Sequence, residues 1–517
     1  MHQVLRLEEL VRNISNSAEP TSQGSASLLA FACCCKSLEG PVMDALWQRQ
    51  ADLSTILKSL PADSWTITED VFFLSRNLSP DEWQRFKRYT ARVTALGVPN
   101  MHSLLSPASA GISTDTIQLL AMESQRGGFW PRLSQLKCDT DWSIVPFFSF
   151  LLTPTIADLD LTLPQEDNRL LQPALSLITH TCRQLQALRL DVNTYCPLSG
   201  REIGRLISAS RNTLRRIDIR PLAPAEIFPA IFDLPQLRCL VLQQPRFPNQ
   251  TLPKISSRLE FIYLSDKLGS NLCLFLGQLS FQECAKVSIV GSEIVQLYPL
   301  LNSLRGAATT LATLYLSPTA TLERSSVILL CSFINLTSLK IRCVCAHPLT
   351  IIPCNFQPTD EDIIEIGKCL PLLQTLNLGS GCRTPRLATF ASLLSLSRTC
   401  SHLRMLITRV DFVGIVGGSD QSNHLSLRAS DACLPRTRSG LNTLNVGNSV
   451  LPDTPHCEWV VALALVSIFP SIKFLHFSST MEMNVRWVQV QRDILACQRI
   501  MDITQAAAVF KTIDRFP

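Results

Sequence analysis

The residues best suited to chemistry in this sequence are three cysteines and a histidine that lie close together. Cys343, Cys345 and His347 occupy alternate positions, and Cys354 lies a few residues later. Alternate residues of a strand share a face, so these side chains could offer thiolate and imidazole ligands to zinc. Structural zinc sites ordinarily use Cys-x-x-Cys pairs, however, and the alternation here continues from Leu339. We therefore interpret the group as part of an inward apolar face and predict neither a metal nor another cofactor.

Other catalytic signatures are weak or missing. The run from Cys33 to Cys35 could indicate a reactive thiol, but cysteines in an apolar helix are usually inert core residues. The chain contains no nucleophile elbow, phosphate-binding loop or His-Glu-x-x-His motif. Gly414, Gly417 and Gly418 lack the lysine that a phosphate-binding loop requires, and they indicate a surface insertion. We predict that the protein is not an enzyme.

Composition limits the classes of partner. With 46% hydrophobic and 17% charged residues, the 517-residue chain can bury a large core and should be mostly folded. A formal net charge of +5 is small for this length. Because binding to a phosphate backbone needs many clustered Lys and Arg residues, nucleic acid is not an expected partner.

The sequence indicates a soluble intracellular protein. Arg6, Glu8 and Glu9 interrupt the N-terminal region where a secretory signal would be apolar, and the run from Trp459 to Phe469 is too short to span a bilayer. Nineteen cysteines at irregular spacing would invite mispairing in an oxidising compartment. We therefore expect a cytoplasmic or nuclear location and no membrane partner.

A short apolar pattern recurs along most of the chain. Each copy has an apolar residue followed three and five places later by two more, and most copies begin 22 to 31 residues apart. This is the Leu-x-x-Leu-x-Leu signature of leucine-rich repeats. The first positions are Val93, Leu133, Ile156, Leu185, Leu214, Leu237, Leu259, Cys284, Leu311, Leu336, Leu373, Leu403, Leu441 and Ile472.

The spacing within each copy predicts a short strand. Its last two apolar positions are two residues apart, so both side chains point to the buried side while their neighbours point outward. Helical patterns between copies would cover the other side of the strand layer, so each repeat buries its core by stacking on its neighbours. We predict an α/β fold, a leucine-rich-repeat solenoid with a curved parallel sheet and outer helices. The predicted helices are 170–182, 202–209, 360–369, 387–398 and 459–469, and Cys182, Cys369 and Cys400 lie at helix ends.

The outward positions of the strands are the candidate target-binding residues, because solenoids commonly bind partners on the concave side of the sheet. They comprise an expected acidic patch, three aromatic anchors and two cations, although an ordinary solvated face explains any one of them equally well. In chain order these residues are Asp158, Asp160, Asp191, Phe261, Tyr263, Tyr315, Lys340 and Arg342.

The N-terminal region has a different, helical pattern. A short amphipathic segment at 4–11 precedes a polar stretch at 15–27, and residues 28–47 indicate two further helices separated near Gly40 and Pro41. Cys35-Lys36-Ser37-Leu38, Pro41 and Leu46-Trp47 resemble the F-box, and the segments beginning at Leu60 and Leu78 resemble the region C-terminal to the F-box in fungal F-box/leucine-rich-repeat proteins. Ser79 and Glu82 also form a predicted capping box, with Pro80 at the first helical position.

Together these patterns divide the chain into four expected parts: an F-box-like helical module at 1–50, a connecting helical segment at 51–92, the solenoid at 93–480 and, from the helical pattern after the last repeat, a C-terminal helical cap at 481–517. The resemblance to the F-box family implies a substrate-recruiting subunit of an SCF-type ubiquitin ligase, whose N-terminal helices dock on the Skp adaptor while the solenoid binds a protein target. The implied adaptor-binding residues are Leu7, Leu10, Leu38, Leu46 and Trp47.

The chain departs from the F-box pattern at its start. Leu7-Glu8-Glu9-Leu10 stands where the family has a Leu-Pro or Ile-Pro pair. A stand-alone leucine-rich-repeat scaffold or inhibitor with no link to ubiquitin therefore remains the alternative.

Overall fold

The computed structural model divides the chain into two compact units, Met1–Leu237 and Arg238–Pro517. The structure describes residues 9, 13, 22–34, 36–97, 111–138, 149–163, 171–192, 197–247, 258–265, 271–291, 296–317, 322–342, 358–379, 388–412, 440–447, 449–454, 456–477 and 481–513.

The main sheet of the first unit consists of parallel strands. In order across the sheet they are β1 (Arg49–Gln50), β4 (Ala95–Leu96), β6 (Gln135–Cys138), β7 (Asp158–Leu163), β8 (Ala187–Val192) and β9 (Arg216–Pro221). The helices of this unit are α1 (Ser22–Cys34), α2 (Lys36–Gln48), α3 (Leu53–Leu57), α4 (Pro80–Thr90), α5 (Thr114–Ser124), α6 (Leu171–Thr181), α7 (Pro197–Ala209) and α8 (Phe228–Phe232), with 3-10 turns at Ala62–Ser64 and Ala225–Ile227.

A second, three-stranded sheet has two of its strands in the segment 51–92, which we expected to be helical. Strand β2 (Trp65–Thr68) pairs antiparallel with β3 (Val71–Leu74), which pairs parallel with β5 (Gly111–Ile112). A tight turn joins β2 to β3 with positive φ at both central residues, the conformation that short hairpins need. The segment 51–92 thus contains this hairpin, which the sequence analysis did not predict, beside the helices α3 and α4.

The second unit continues with parallel strands in chain order. They are β10 (Cys239–Gln243), β11 (Phe261–Ser265), β12 (Lys286–Val290), β13 (Thr313–Ser317), β14 (Ser338–Ile341), β15 (Thr375–Leu378), β16 (Met405–Thr408), β17 (Thr443–Gly447) and β18 (Phe474–Phe477). The helices are α9 (Leu272–Gly277), α10 (Leu297–Ser303), α11 (Arg324–Leu330), α12 (Asp360–Cys369), α13 (Phe390–Thr399), α14 (Cys457–Ile468) and α15 (Met481–Ile513), with a 3-10 turn at Arg305–Ala307.

The repeat pattern accounts for this architecture. Every predicted first position, from Val93 to Ile472, is 0% exposed, and each is followed by a strand at the expected distance. The residue before a strand also accepts two backbone hydrogen bonds from the next repeat, as Ala312 does from Thr337 and Ser338. Stacking of identical units thus satisfies both apolar surface and backbone polar groups. The predicted leucine-rich-repeat solenoid is confirmed.

The N-terminal part differs from prediction in two ways. Helix α1 ends at Cys34 and α2 begins at Lys36, so the expected separation near Gly40 and Pro41 is wrong and Pro41 lies inside α2. A proline there removes one helical hydrogen bond, but its φ suits a helix, and Arg92 anchors the segment by donating to the Gly40 carbonyl and to Asp44. The sheet also starts earlier than residue 93, because β1 pairs with β4 in parallel.

The long helix α15 covers the outer edge of β18. Trp487, Val490 and Ile494 are fully buried along one side of it. The side chain of Gln491 accepts a hydrogen bond from the backbone N–H of Leu475 at 2.7 Å, and its amide donates to the carbonyl of Lys473 at 3.3 Å. These are the two bonds that another parallel strand would make, so a side chain takes the place of a further strand.

No helix within the described ranges combines the length and the apolarity needed to cross a membrane.

Candidate functional site

Pairing between strands brings outward side chains of successive repeats into rows. Because parallel strands lie about 4.8 Å apart, residues in register on neighbouring strands are side-chain neighbours. We call the outward side of β6–β9 the first-unit face and the outward side of β10–β18 the second-unit face.

One row of the first-unit face carries alternating charge. In register across β6–β9 it contains Lys137, Asp160, Arg189 and Asp218. The Arg189 guanidinium lies between two carboxylates, with Nη1 3.1 Å from Asp160 and Nε 3.2 Å from Asp218. Partial burial lowers the pKa of Arg189, but these two carboxylates outweigh it and hold the pKa above its ordinary value. We call this set the ion-pair row.

Asp218 is the centre of this network. Its side chain is 0% exposed and receives hydrogen bonds from Nε and Nη2 of Arg220 at 2.7 and 2.9 Å. The guanidinium of Arg216 lies 3.6 Å away. Three arginines therefore surround one buried carboxylate, which compensates its removal from water.

These ion pairs correct the prediction of an acidic patch on this face. Asp160 is paired with Arg189, and Asp191 is in register with Arg220 on the next strand. Asp158 is the most exposed residue of the three, yet partial burial of its carboxyl raises its pKa more than the charges of Arg189 and Arg216 lower it. The face is therefore mixed in charge rather than acidic. Strand alternation alone predicts that the arginines point outward. That Arg189 pairs with carboxylates 29 residues away in the sequence follows only from the strand register.

A shallow cavity of about 290 Å³ opens on this face. Its walls include Lys137, Asp158, Asp160 and Arg189, with the small Ala187 between them. Charges of both signs line it, so its chemistry suits a polar contact rather than an apolar ligand.

The second-unit face carries the predicted aromatic residues. Tyr263, Ser288, Tyr315 and Lys340 lie in register on β11–β14. Ser288 is only 5% exposed although it faces outward, because a tyrosine flanks it on each side. Both tyrosines are half-buried. With Phe261 at the start of β11 they form what we call the aromatic platform: Phe261, Tyr263 and Tyr315.

Cations border the aromatic platform. The Lys286 ammonium lies 5.0 Å from the ring centre of Phe261, a cation–π contact. Lys340 is next to Tyr315 across the strand pair, and the exposed Arg342 lies just past the end of β14. At the outward positions of β10–β18 no residue is an Asp or Glu. Strand alternation predicts the aromatic platform, Lys340 and Arg342 from the sequence alone, whereas Lys286 was not predicted.

The predicted adaptor-binding residues lie partly within the described structure. Trp47 packs on Tyr89 with ring centres 4.5 Å apart, and Leu46 packs against Ala32 and Val42. Both side chains therefore hold α2 in place. Leu7 and Leu10 lie outside the described residues, and so does the side chain of Leu38.

The cysteines of the described ranges form no metal site. Among those residues no group of three His, Cys, Asp or Glu side chains could hold a metal ion. Burial raises the pKa of the Cys182 and Cys284 thiols to about 12, which makes them core residues rather than nucleophiles. The candidate zinc ligands Cys343, Cys345, His347 and Cys354 lie outside the described residues.

No protein-family model matches this sequence, and no curated protein matches it. Solved structures share part of its geometry. An internalin (inlF) from Listeria monocytogenes is similar over 68% of this chain and 83% of its own, with 13% identity and a TM-score of 0.39. A leucine-rich-repeat protein from Leptospira interrogans is similar over 83% of this chain and 88% of its own, with 14% identity and a TM-score of 0.35.

A third similarity is to the leucine-rich-repeat ectodomain of the plant membrane receptor kinase GASSHO1/SCHENGEN3 from Arabidopsis thaliana, solved in complex with CASPARIAN STRIP INTEGRITY FACTOR 2. It extends over 67% of this chain and 36% of the ectodomain, with 14% identity and a TM-score of 0.24. Each of these similarities is too weak to indicate a shared function.

Proposed function

We propose that this chain is a non-catalytic, protein-binding solenoid and that the second-unit face is its main contact surface. The observation that carries the proposal is the row of Tyr263, Ser288, Tyr315 and Lys340, set on four paired strands. Tyrosine and arginine dominate the energetics of protein interfaces, and side chains already fixed on a sheet lose little entropy on binding. An aromatic platform bordered by cations therefore suits a protein partner.

Site-specific photo-cross-linking tests this surface directly. A benzoylphenylalanine replacing Tyr263 should cross-link to partner proteins in cells, and Tyr315→Ala in the same chain should abolish those products. The matched control places the cross-linker at Leu274, which is 69% exposed on α9 and lies off the sheet face. Equal product from both positions, or products that survive Tyr315→Ala, would overturn the proposal.

We further propose the finer assignment to an SCF-type ubiquitin ligase, with the Skp adaptor docking on the N-terminal helices. It is supported by the resemblance of 35–47 to the F-box, and α1 and α2 supply two helices there. In this proposal Leu46 and Trp47 support α2 from within, while Leu7, Leu10 and Leu38 supply the contacts. The solenoid would then select the target.

Calorimetry with purified Skp adaptor distinguishes this assignment from the stand-alone scaffold. The adaptor should bind the full chain with micromolar or tighter affinity, and Leu10→Asp should weaken binding at least tenfold. Burial of one such side chain contributes roughly 1.5–3 kcal/mol, which accounts for that factor. If the intact protein releases no heat with adaptor at tens of micromolar, the ligase assignment fails. The scaffold or inhibitor hypothesis then replaces it.

A further inference from the structure

We infer that the segment bound on the second-unit face is an acidic, extended stretch of a partner protein, with an apolar side chain resting on the aromatic platform. This inference rests on the proposed function and adds the chemistry of the partner. Three cations border the platform, namely Lys286, Lys340 and Arg342, and no carboxylate occupies the described outward positions of β10–β18. The charge of the face is therefore of one sign.

Among the described residues, the carboxylates that precede β11 and β12 in the sequence do not neutralise these cations. Glu260, just before β11, pairs with Arg238 at 2.9 Å, and Glu283, just before β12, pairs with Arg258 at 3.1 Å. Each acid in the approach to these strands therefore has its own arginine. A bound carboxylate would meet the lysines with their positive charge still available, in contrast to the balanced ion-pair row of the first unit.

The spacing of the side chains from Tyr263 to Lys340 fits a bound peptide in an extended conformation. From Tyr263 to Lys340 the row crosses three strand intervals, about 14 Å, which an extended peptide covers with about four residues at roughly 3.4 Å each. Successive residues of an extended chain point to opposite sides, so residues two places apart, about 6.8 Å, share the side that faces the sheet. With an apolar side chain on Tyr315, an acidic residue two places further along the peptide then comes within reach of the Lys340 ammonium, one strand interval of about 4.8 Å away. Apolar and acidic residues two places apart would contact tyrosine and lysine in turn.

A single-stranded nucleic acid could also stack on aromatic rings, but such grooves track the backbone with many cations. Three lysine and arginine side chains among Ser, Thr and Asn favour the acidic peptide, and the nucleic acid becomes an outcome of the test.

Fluorescence anisotropy with the full chain provides that test. The probe is a labelled peptide of about ten residues, long enough to cross the face, with Glu on both sides of a central Phe. Matched peptides carry Gln or Lys in place of every Glu, and an oligothymidylate of similar length represents nucleic acid. We expect the acidic peptide to bind at least tenfold more tightly than each of the others, with affinity falling as salt rises.

Two charge-matched variants locate the effect. Lys340→Glu should weaken binding of the acidic peptide at least tenfold. Lys368→Glu makes the same charge change at an exposed position of α12 and should leave binding within twofold. Circular dichroism of both variants confirms that they fold. Equal binding of the Gln peptide or the oligonucleotide, no binding of the acidic peptide, or equal effects of the two variants would each overturn the inference. If the inference fails in one of these ways but cross-linking to partner proteins at position 263 persists, the proposed protein-binding function is still supported.

Discussion

Replacing Asp218 with asparagine removes the charge at the centre of the first-unit network while keeping the side-chain volume. The carboxylate is 0% exposed and accepts two hydrogen bonds from Arg220, at 2.7 and 2.9 Å, and one from Arg189 at 3.2 Å. Asparagine offers one acceptor and points an N–H group at a guanidinium. Breaking a buried ion pair costs about 3–5 kcal/mol.

The arginines themselves are 40–46% exposed, so solvent takes up part of their charge when Asp218 is lost. This reduces the expected loss of unfolding free energy to about 2–3 kcal/mol. For a folded unit of this size, each kcal/mol lowers the melting temperature by about 2–4 °C. We therefore expect the first unit to melt about 5–10 °C lower.

Urea denaturation and calorimetry of the full chain measure this change, with Asp158→Asn as the control on the same face. Partial burial disfavours the charged form of Asp158 and raises its pKa, and its side chain is exposed at the edge of the face, so a neutral amide should be tolerated there. We expect the control to shift stability by less than about 0.5 kcal/mol. If Asp218→Asn is as mild as the control, the network does not stabilise the fold and our account of it is wrong.

Three further outcomes are expected. Gln491→Leu leaves two backbone groups at the edge of β18 unsatisfied and should cost about 1–3 kcal/mol in urea unfolding, whereas the neighbouring Gln489→Leu should cost much less. Hydrogen bonding from Arg76 holds the pKa of Glu82 at about 2, below its ordinary 4.5. Stability from this carboxylate is therefore complete above pH 4.5 and lost as pH falls towards 2, and Glu82→Gln should flatten acid denaturation over that window; an unchanged slope would contradict it. Iodoacetamide should label Cys182 in the folded protein far more slowly than small thiols, because burial raises its pKa from 9.0 to about 12 and cuts the thiolate fraction about a thousandfold; rapid labelling detected by mass spectrometry would refute this.

The sequence predicts the repeat strands well because their physical requirement is local. Leu185, Leu188 and Leu190 identify one strand by their spacing alone, so the pattern is complete within six residues although neighbouring repeats supply the burial. Strand β1 escaped notice because its buried residue is Gln50, whose amide donates to the Leu46 carbonyl instead of packing as an apolar group. The predicted helix break near Pro41 is wrong for the opposite reason. Proline is a strong local signal for a break, but the contact of Arg92 with the Gly40 carbonyl supports a continuous helix.

The candidate surfaces likewise combine features that one repeat determines with features that only the stacking of repeats determines. Strand alternation alone places Tyr263 and Tyr315 outward, and they were predicted individually. Their relation across Ser288, and the pairing of Arg189 with Asp160 and Asp218, depend on which repeat stacks beside which, and this is set by register rather than by any single repeat.

The hydrogen bonds of Gln491 to β18 do not depend on how many repeats the second-unit array has or on their sequences. One side chain makes the two hydrogen bonds that a residue of a further strand would make. Helix α15 therefore requires only the backbone N–H of Leu475 and the backbone carbonyl of Lys473 on the last strand. Any repeat sequence that forms a strand offers such groups. Gene duplication or loss of internal repeats could therefore lengthen or shorten the array during evolution while the same helix continued to close it.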